Sequence, residues 1–249
     1  MSGHSKWATI KRKKGAADAK RSNMFAKLLR AVEVAAREGG GSVDGNMTLA
    51  SAVEKARSFS VPIDNIDRAI KRGTGELEGG ARYEEITYEG YAPGGIALVV
   101  EALTDNRNRT AQEVRHAFTR SGGNLGETGS TLWMFQRKGV IVVEKDLAPD
   151  EERMLEVALE GGAEDLNDEG SSWDIVTAPQ DFKSVEGALQ AAGVAVESSE
   201  ISMIPTTTVP VDGGDARQVL QLIDALEELD DVQNVYANFD IPEDVMASL

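Results

Sequence analysis

Cysteine is absent from this 249-residue chain, and histidine occurs only twice. Without cysteine the chain forms no disulfide and no thiolate metal site, a composition that suits a reducing cytosol. The two histidines, His4 and His116, are too few for a histidine metal cluster. No apolar run approaches the roughly 18 to 20 residues that a membrane helix needs. We therefore predict a protein with no metal site and no membrane partner.

The sequence also lacks the patterns of common catalytic sites. No serine or threonine stands in a recognised nucleophile motif. The acidic stretch "EGGAEDLNDEGSSWD" (160–174) could bind calcium, but it lacks the ligand spacing of an EF-hand, and we interpret it as a solvated loop. The glycines of "SGGNLGETGS" (121–130) match no phosphate-binding motif; they indicate a helix stop followed by turns, which leaves contact with an RNA backbone open. We predict no enzyme: no catalytic residue, no cofactor and no small-molecule substrate.

Charge is distributed very unevenly along the chain, whose formal net charge is -16. Residues 1–74 hold 15 Lys and Arg against 7 Asp and Glu, whereas residues 75–249 hold 11 against 35. A polyanion attracts the first part and repels the second. Any contact with nucleic acid is therefore expected through the first third of the chain.

The basic residues of the first third concentrate in residues 1–21, which contain a single acid, Asp18. This segment has little to bury beyond Trp7 and Ile10, and we predict a flexible arm that orders on binding. Its cations suit phosphates, and Trp7 or His4 could stack on an unpaired base. A solvated basic tail is the alternative. The candidate nucleic-acid-binding residues of the arm are Lys6, Trp7, Lys11, Arg12, Lys13, Lys14, Lys20 and Arg21.

Residues 22–80 predict a helical bundle domain. Apolar residues recur at helical spacing from Phe25 to Ala36, again from Leu49 to Ala56, and from Ile63 to Ile70. Asn46 is a good N-cap, and Pro62 precedes the third helix. Three short amphipathic helices can bury their apolar stripes only against one another.

The remaining residues alternate between strand and helix patterns. The segments "YEEITYEGY", "GGIALVVEAL" and "STLWMF" predict strands of a middle domain, and residues 138–204 predict an α/β unit. Residues 205–249 contain only one predicted helix and one predicted strand, which are too few to fold alone, so we expect them to complete the middle sheet. The predicted fold is therefore α+β and multidomain: a three-helix bundle, a discontinuous α/β sandwich-like domain (81–137 plus 205–249), and an inserted α/β domain (138–204).

A second basic cluster lies in "TDNRNRTAQEVRHAFTR" (104–120). Arg107, Arg109 and Arg115 are candidate nucleic-acid contacts. The polar residues around them, Asp105, Asn106, Asn108 and Thr110, are typical of turns and helix N-caps, so a loop that serves only as scaffold is an equally good explanation. Arg115 and Arg120 do not share a helical face closely, so a single basic stripe is not expected. Neither helix-turn-helix spacing with a basic recognition helix nor a zinc module is present, which argues against sequence-specific reading of DNA.

Four motifs, in order along the chain, carry a family resemblance. "GHSKWATIKRKKGAADAKRSNMFAKL", "VPIDNIDRAIKRGTGE", "YEGYAPGGIALVVEALTDNRNRTAQEVRHAF" and "GGNLGETGSTLWMFQRKGVI" resemble, nearly residue for residue, the YebC/PmpR family, which also includes the mitochondrial translational activator of cytochrome c oxidase subunit I. The similarity extends from Met1 to the C-terminus. Val61 stands where a methionine usually precedes the proline, and Met47 where a proline often follows the asparagine; both departures concern packing of the bundle.

The resemblance implies a cytoplasmic three-domain protein, with a helical domain and two α/β domains around a cavity. Family members are described as DNA-binding transcriptional regulators and, in other cases, as ribosome-associated factors that assist translation of difficult sequences such as proline runs. The sequence therefore predicts a nucleic-acid-binding regulator. Its partner is either DNA or ribosomal RNA, and in the second case the protein binds the ribosome. A scaffold whose acidic domains recruit a basic protein is compatible with both.

Overall fold

The computed structural model describes residues 18–147, 151–211 and 213–240. Within these residues the chain forms two compact units. The first unit contains the residues up to 131 and residues 213–235, and the second contains 132–211 and 236–240. Each unit has its own hydrophobic core.

Three helices form the bundle of the first unit: α1 (Asp18–Gly39), α2 (Met47–Ser58) and α3 (Ile63–Gly73). Asn46 joins two of them, because its side chain accepts from Leu49 N at 3.1 Å and donates to the carbonyls of Ala35 and Gly40. The predicted helices are confirmed, but the start of the first is not: α1 begins inside the predicted arm. Ala19, Lys20 and Arg21 are good helix formers and Asp18 places an acid in the first turn, which favours that earlier start. The buried core of the bundle comprises Leu28, Val32, Ala35, Ala36, Leu49, Val53, Ala56, Val61, Ile66 and Ala69.

Gly73 marks the closest approach of α3 to α1. A Cβ at this position would meet the Glu33 carbonyl oxygen at 2.3 Å and the Ala36 Cβ at 2.8 Å. We therefore expect Gly73→Ala to lower the free energy of unfolding by about 1–3 kcal/mol, because the helices must move apart. Thermal denaturation of the full chain measures this change.

Gly187 supplies the matched control. It lies inside a helix of the second unit, α6 (Phe182–Ala191), and a Cβ there would meet nothing within 4 Å. Gly187→Ala should stabilise the chain by about 0.5–1 kcal/mol, since alanine is the better helix former. Equal effects of the two substitutions would contradict the close packing of α1 and α3.

A four-stranded sheet forms the other part of the first unit. Strands β1 (Glu84–Ala92) and β2 (Ile96–Thr104) make an antiparallel hairpin, whose three-residue turn uses the positive φ of Gly94 and Gly95. The strand order is β3-β1-β2-β9, with β3 at Asn124–Leu125 and β9 at Val232–Ala237. Helices α4 (Arg107–Arg120) and α7 (Gly213–Glu227) pack beside this sheet. A strand from the end of the chain thus completes a sheet begun before residue 100.

The second unit has the order of elements of a ferredoxin-like fold. Strand β4 (Phe135–Glu144), helix α5 (Glu151–Gly161), strands β5 (Ala163–Asp168) and β6 (Ser172–Thr177), helix α6 and strand β7 (Ser198–Pro205) follow in sequence. The sheet is antiparallel with the order β5-β6-β4-β7. Ile141, Met154, Trp173, Ile175, Phe182 and Leu189 are among its buried core residues. Two short strands, β8 (Val209–Pro210) and β10 (Phe239–Asp240), pair in parallel.

Two predicted segments differ from the structure. "STLWMF" is not a strand of the middle domain: Leu132–Met134 form a 3₁₀ turn, and Phe135 begins β4 of the other sheet. The Thr131 hydroxyl donates to the Leu98 carbonyl at 2.9 Å, which ends the first unit at this point. The acidic stretch 160–174 is not a solvated loop either, because β5 lies in its middle as an edge strand. Acidic side chains suit an exposed edge, which they protect from pairing with another chain.

The fold class is confirmed as α+β, with a helical bundle and two helix-covered sheets. The predicted domain boundaries at residues 81, 138 and 205 stay a prediction. No helix among the described residues is both long and apolar enough to span a membrane.

Candidate nucleic-acid interface

The predicted nucleic-acid-binding residues fall into three groups. Lys6, Trp7, Lys11, Arg12, Lys13 and Lys14 lie outside the described residues. Lys20 and Arg21 belong to the first turn of α1. Arg107, Arg109 and Arg115 all lie on α4.

Helix α1 is joined to the end of α7 by a row of donors. Asn23, Lys27 and Arg30 stand at positions i, i+4 and i+7, so they share one helix face. Asn23 donates to the Glu228 carbonyl at 3.0 Å, and Lys27 donates to the Glu227 carbonyl. The carbonyls at the C-terminal end of a helix carry partial negative charge, so hydrogen-bond donors and cations are favourable there. The start of α1 is therefore held at one place on the α/β part of the first unit.

Asp231 lies at the centre of this junction. Its Oδ1 accepts from Arg30 at 3.1 Å, while its Oδ2 accepts from Arg109 at 2.6 Å, from Thr110 at 2.7 Å and from Thr104 at 3.0 Å. The side chain is almost fully buried. One carboxylate thus connects α1, the end of β2, the first turn of α4 and the turn before β9.

The surroundings of Asp231 favour its charged form. Burial by itself would raise the pKa of this carboxyl, but the hydrogen bonds from Arg109, Thr110 and Thr104 outweigh burial and hold the pKa below its ordinary 3.8. The same hydrogen bond to Asp231, together with one to Asp105, raises the pKa of Arg109. Both groups are therefore charged over the whole physiological range.

The first turn of α4 is fixed by its own polar residues. Asn106 is the N-cap, and its side chain accepts from Arg109 N at 3.2 Å. The Thr104 hydroxyl oxygen accepts from Asn106 N at 2.9 Å and lies 2.7 Å from the Thr110 hydroxyl oxygen. The predicted capping role of this stretch is confirmed for Asn106.

The three candidate arginines of α4 differ in how far they are engaged. The Arg109 guanidinium contacts two carboxylates, Asp231 and Asp105. Arg107 lies on the surface, 3.5 Å from the exposed Glu84. Arg115 is exposed, and within the described part of the chain neither Arg115 nor Arg120 has a carboxylate at ion-pair distance. Arg107 and Arg115 are therefore better placed than Arg109 to meet a phosphate.

The outer face of α4 is polar and nearly free of acids. The exposed residues of α4 are Arg107, Asn108, Arg109, Gln112, Arg115, His116, Thr119 and Arg120. Such a surface offers cations to phosphates and amide groups to base edges or sugars. On a chain whose residues after 74 are strongly acidic, this face is an exception.

The glycine-rich loop after α4 uses its amides internally. Glu89, a buried carboxylate on β1, accepts from Gly129 N at 2.6 Å and from Thr131 N at 2.7 Å, and its carbonyl accepts from Gly126 N. Those amides are not available to a bound anion. This agrees with the prediction that residues 121–130 form turns and no phosphate-binding loop. Among residues 18–147, 151–211 and 213–240, no group of three or more acidic or histidine side chains could hold a metal ion.

Helix α1, which follows the basic segment, meets the start of α4 through Arg30. Asn23 is five residues from Asp18, about 7.5 Å along the helix, and Arg30 meets Arg109 on the same carboxylate. Helix α1 is therefore fixed beside Arg109 at Arg30, and beside the end of α7 at Asn23. Sequence patterns gave no sign of Arg30 and Asp231, because 201 positions separate them.

The chain combines a helical bundle, two helix-covered sheets and a basic helix, α4, that is joined to the bundle through Asp231. This combination defines a class of α+β proteins that has known members. Residues 5–76 match the family model of the TACO1/YebC protein N-terminal domain, and residues 83–239 match that of the TACO1/YebC second and third domain. The chain belongs to the TACO1/YebC family, and the resemblance noted in the sequence is confirmed.

Individual relatives cover the whole chain. A protein of Rubrobacter xylanophilus is 57% identical over 249 residues, which are 100% of this chain and 99% of the relative. One of Pelotomaculum thermopropionicum is 56% identical over 244 residues, 98% of this chain and 100% of the relative. Both are named "probable transcriptional regulatory protein". The crystal structure of a conserved hypothetical protein from Aquifex aeolicus has a TM-score of 0.80 and 48% identity, and covers 90% of this chain and 92% of its own.

Proposed function

We propose that this chain is a nucleic-acid-binding regulator of gene expression and not an enzyme. The observation that carries the proposal is the Asp231 network, which holds α1, the helix that follows the basic segment, beside Arg109 at the start of α4. Two basic elements fixed together can follow one nucleic-acid backbone, whereas two independent elements would each lose entropy on binding. The names of the relatives support a regulatory role.

Within this proposal the α4 arginines have two different roles. Arg107 and Arg115 contact phosphates, together with Lys20, Arg21 and the cations of residues 1–17, while Trp7 stacks on a base. Arg109 is a positioning residue, because its guanidinium is engaged by Asp231 and Asp105. Its loss should reduce thermal stability as well as binding, whereas loss of Arg115 should reduce binding alone.

Duplex DNA and ribosomal RNA are the two candidate targets. The relatives named as transcriptional regulators favour DNA. The charge distribution favours the ribosome: the 35 acids against 11 bases after residue 74 repel an isolated duplex, but could face basic ribosomal proteins while the basic elements meet RNA. A cytoplasmic location is compatible with both.

A competition experiment separates these targets. The full chain is offered purified ribosomes and an excess of mixed genomic duplex fragments at about 150 mM salt, where nonspecific phosphate contacts are weakened. We expect retention on ribosomes if RNA is the target, and capture of a few defined fragments if DNA is. In either case binding should fall when Lys11, Arg12, Lys13 and Lys14 are changed to alanine.

A matched pair of variants tests the surface of α4. The double variant Arg107→Ala and Arg115→Ala should weaken binding by roughly tenfold, the effect of losing two phosphate contacts. Arg137→Ala with Arg217→Ala removes the same charge from exposed positions elsewhere and should leave binding nearly unchanged. Equal losses in both pairs would mean that only net charge matters, and retention on neither target would refute the proposal.

A further inference from the structure

Helix α5 of the second unit has a second apolar stripe in addition to the one that faces its core. Met154, Val157 and Ala158 are buried against the sheet. On the outer side, Leu155 is 42% exposed and Leu159 is 54% exposed. A single exposed leucine is ordinary, but these two stand at i and i+4 and are neighbours on one face.

Carboxylates border both leucines. Glu152, Glu156 and Glu160 are exposed at positions i, i+4 and i+8 of the same helix, and Glu156 shares an exposed ion pair with Arg153. We call Glu152, Leu155, Glu156, Leu159 and Glu160 the leucine–glutamate face. It belongs to a strongly acidic part of the chain, since residues 132–211 hold 16 Asp and Glu against 5 Lys and Arg.

We infer that the leucine–glutamate face binds a basic amphipathic helix of a protein partner. Nucleic acids and anionic membranes are repelled by its carboxylates, and an uncharged partner would desolvate them without compensation. A helix that carries two apolar side chains one turn apart, with Lys or Arg on either side, covers the leucines and pairs with the glutamates. The face is only two helical turns long, so the contact is weak and sensitive to salt.

The inference can be tested without nucleic acid, so that its failure is separate from any failure of the proposed function. The probe is a fluorescein-labelled synthetic helix of Ala, Lys and Leu, with two leucines four residues apart and lysines flanking them, titrated with the full chain at low salt. Leu155→Ser with Leu159→Ser should weaken binding by about tenfold, through loss of apolar contact area. Changing Glu152, Glu156 and Glu160 to glutamine should weaken it by a similar factor, and added salt should remove that difference.

Two control variants of the chain keep this test specific. Leu77 is 41% exposed and lies between Glu76 and Glu78 but belongs to no helix, so Leu77→Ser should not change binding. Glu38→Gln, Asp44→Asn and Asp67→Asn together remove the same charge from exposed positions of the bundle and should also have no effect. Because the leucines tested are exposed, the variants should keep the near-ultraviolet circular dichroism of the parent chain.

Three results would overturn the inference. The first is unchanged binding of the probe after loss of both leucines, and the second is an equal loss in the two charge-matched triple variants, which would indicate nonspecific attraction. The third is binding that appears only when residues 1–17 are deleted, which would make the chain's own basic segment the occupant. A second peptide of the same composition, with its leucines on opposite helix faces, should bind at least about fivefold more weakly than the first.

Discussion

Asp231→Ala is expected to lower the free energy of unfolding by about 2–3 kcal/mol. The change removes a buried acceptor of four side-chain hydrogen bonds and leaves Arg30 without its carboxylate partner. We expect a smaller loss of unfolding free energy than for a fully buried ion pair, because Arg109 is partly exposed to solvent. Chemical denaturation of the full chain measures it.

The neighbouring Asp230 provides the control for this substitution. It is exposed and contributes only its backbone carbonyl to Arg30, so Asp230→Asn should change stability by less than about 0.5 kcal/mol. Asp231→Asn keeps one acceptor oxygen and should fall between the two. An Asp231→Ala variant as stable as the parent chain would show that the network does not hold the bundle in place.

The stability that Asp231 supplies should depend on pH in one direction. Its pKa is lower in the folded chain than the ordinary 3.8, so the unfolded chain takes up its proton first as the pH falls. The difference in unfolding free energy between the parent chain and Asp231→Ala is therefore constant above about pH 5 and shrinks as the pH falls below about 4. A difference that grew in acid would contradict this assignment.

Deletion of residues 1–17 is expected to lower nucleic-acid affinity by roughly 10³-fold at 150 mM salt. The segment removed carries five cations: Lys6, Lys11, Arg12, Lys13 and Lys14. If each meets one phosphate, the slope of log K against log salt should become less steep by about 3.5 on single strands or about 4.5 on duplex. Binding measured between 50 and 200 mM salt gives both values.

Thermal stability should be nearly unchanged in the same deletion, because the segment has little to bury beyond Trp7 and Ile10. A variant with residues 4–14 in shuffled order keeps the five cations and should retain most of the salt slope, since phosphate contacts carry little sequence information. Trp7→Ala alone should weaken binding to single strands without changing the slope, through loss of base stacking. If the deleted and full-length chains bind equally at low salt, the basic segment has no role in binding.

The local pattern of the sequence was enough to predict most helices and strands. The apolar stripe of residues 25–36 and the alternation along β1 report on burial of one face, and that information is contained in a few adjacent residues. Asn46 and Asn106 were recognisable as N-caps for the same reason, because a cap bonds to an amide three positions later. The predicted strand at "STLWMF" was wrong because the contact of Thr131 with Leu98, 33 positions away, decides that segment.

Some features of the candidate site could likewise be predicted from the sequence, whereas others required the structure. The sequence by itself determined the charge division, the basic segment, the α4 arginines and the family, since each depends on residue types in a fixed order. Only the tertiary structure decided that the Arg115 side chain is exposed to solvent. It also decided that Arg109 pairs with Asp231 and that α1 is joined to the end of α7. These contacts join residues more than 100 positions apart. Ion pairs and hydrogen bonds to helix-end carbonyls act over a few ångströms. Which residues pair therefore depends on which distant segments the fold brings together, and not on the spacing of residues along the sequence.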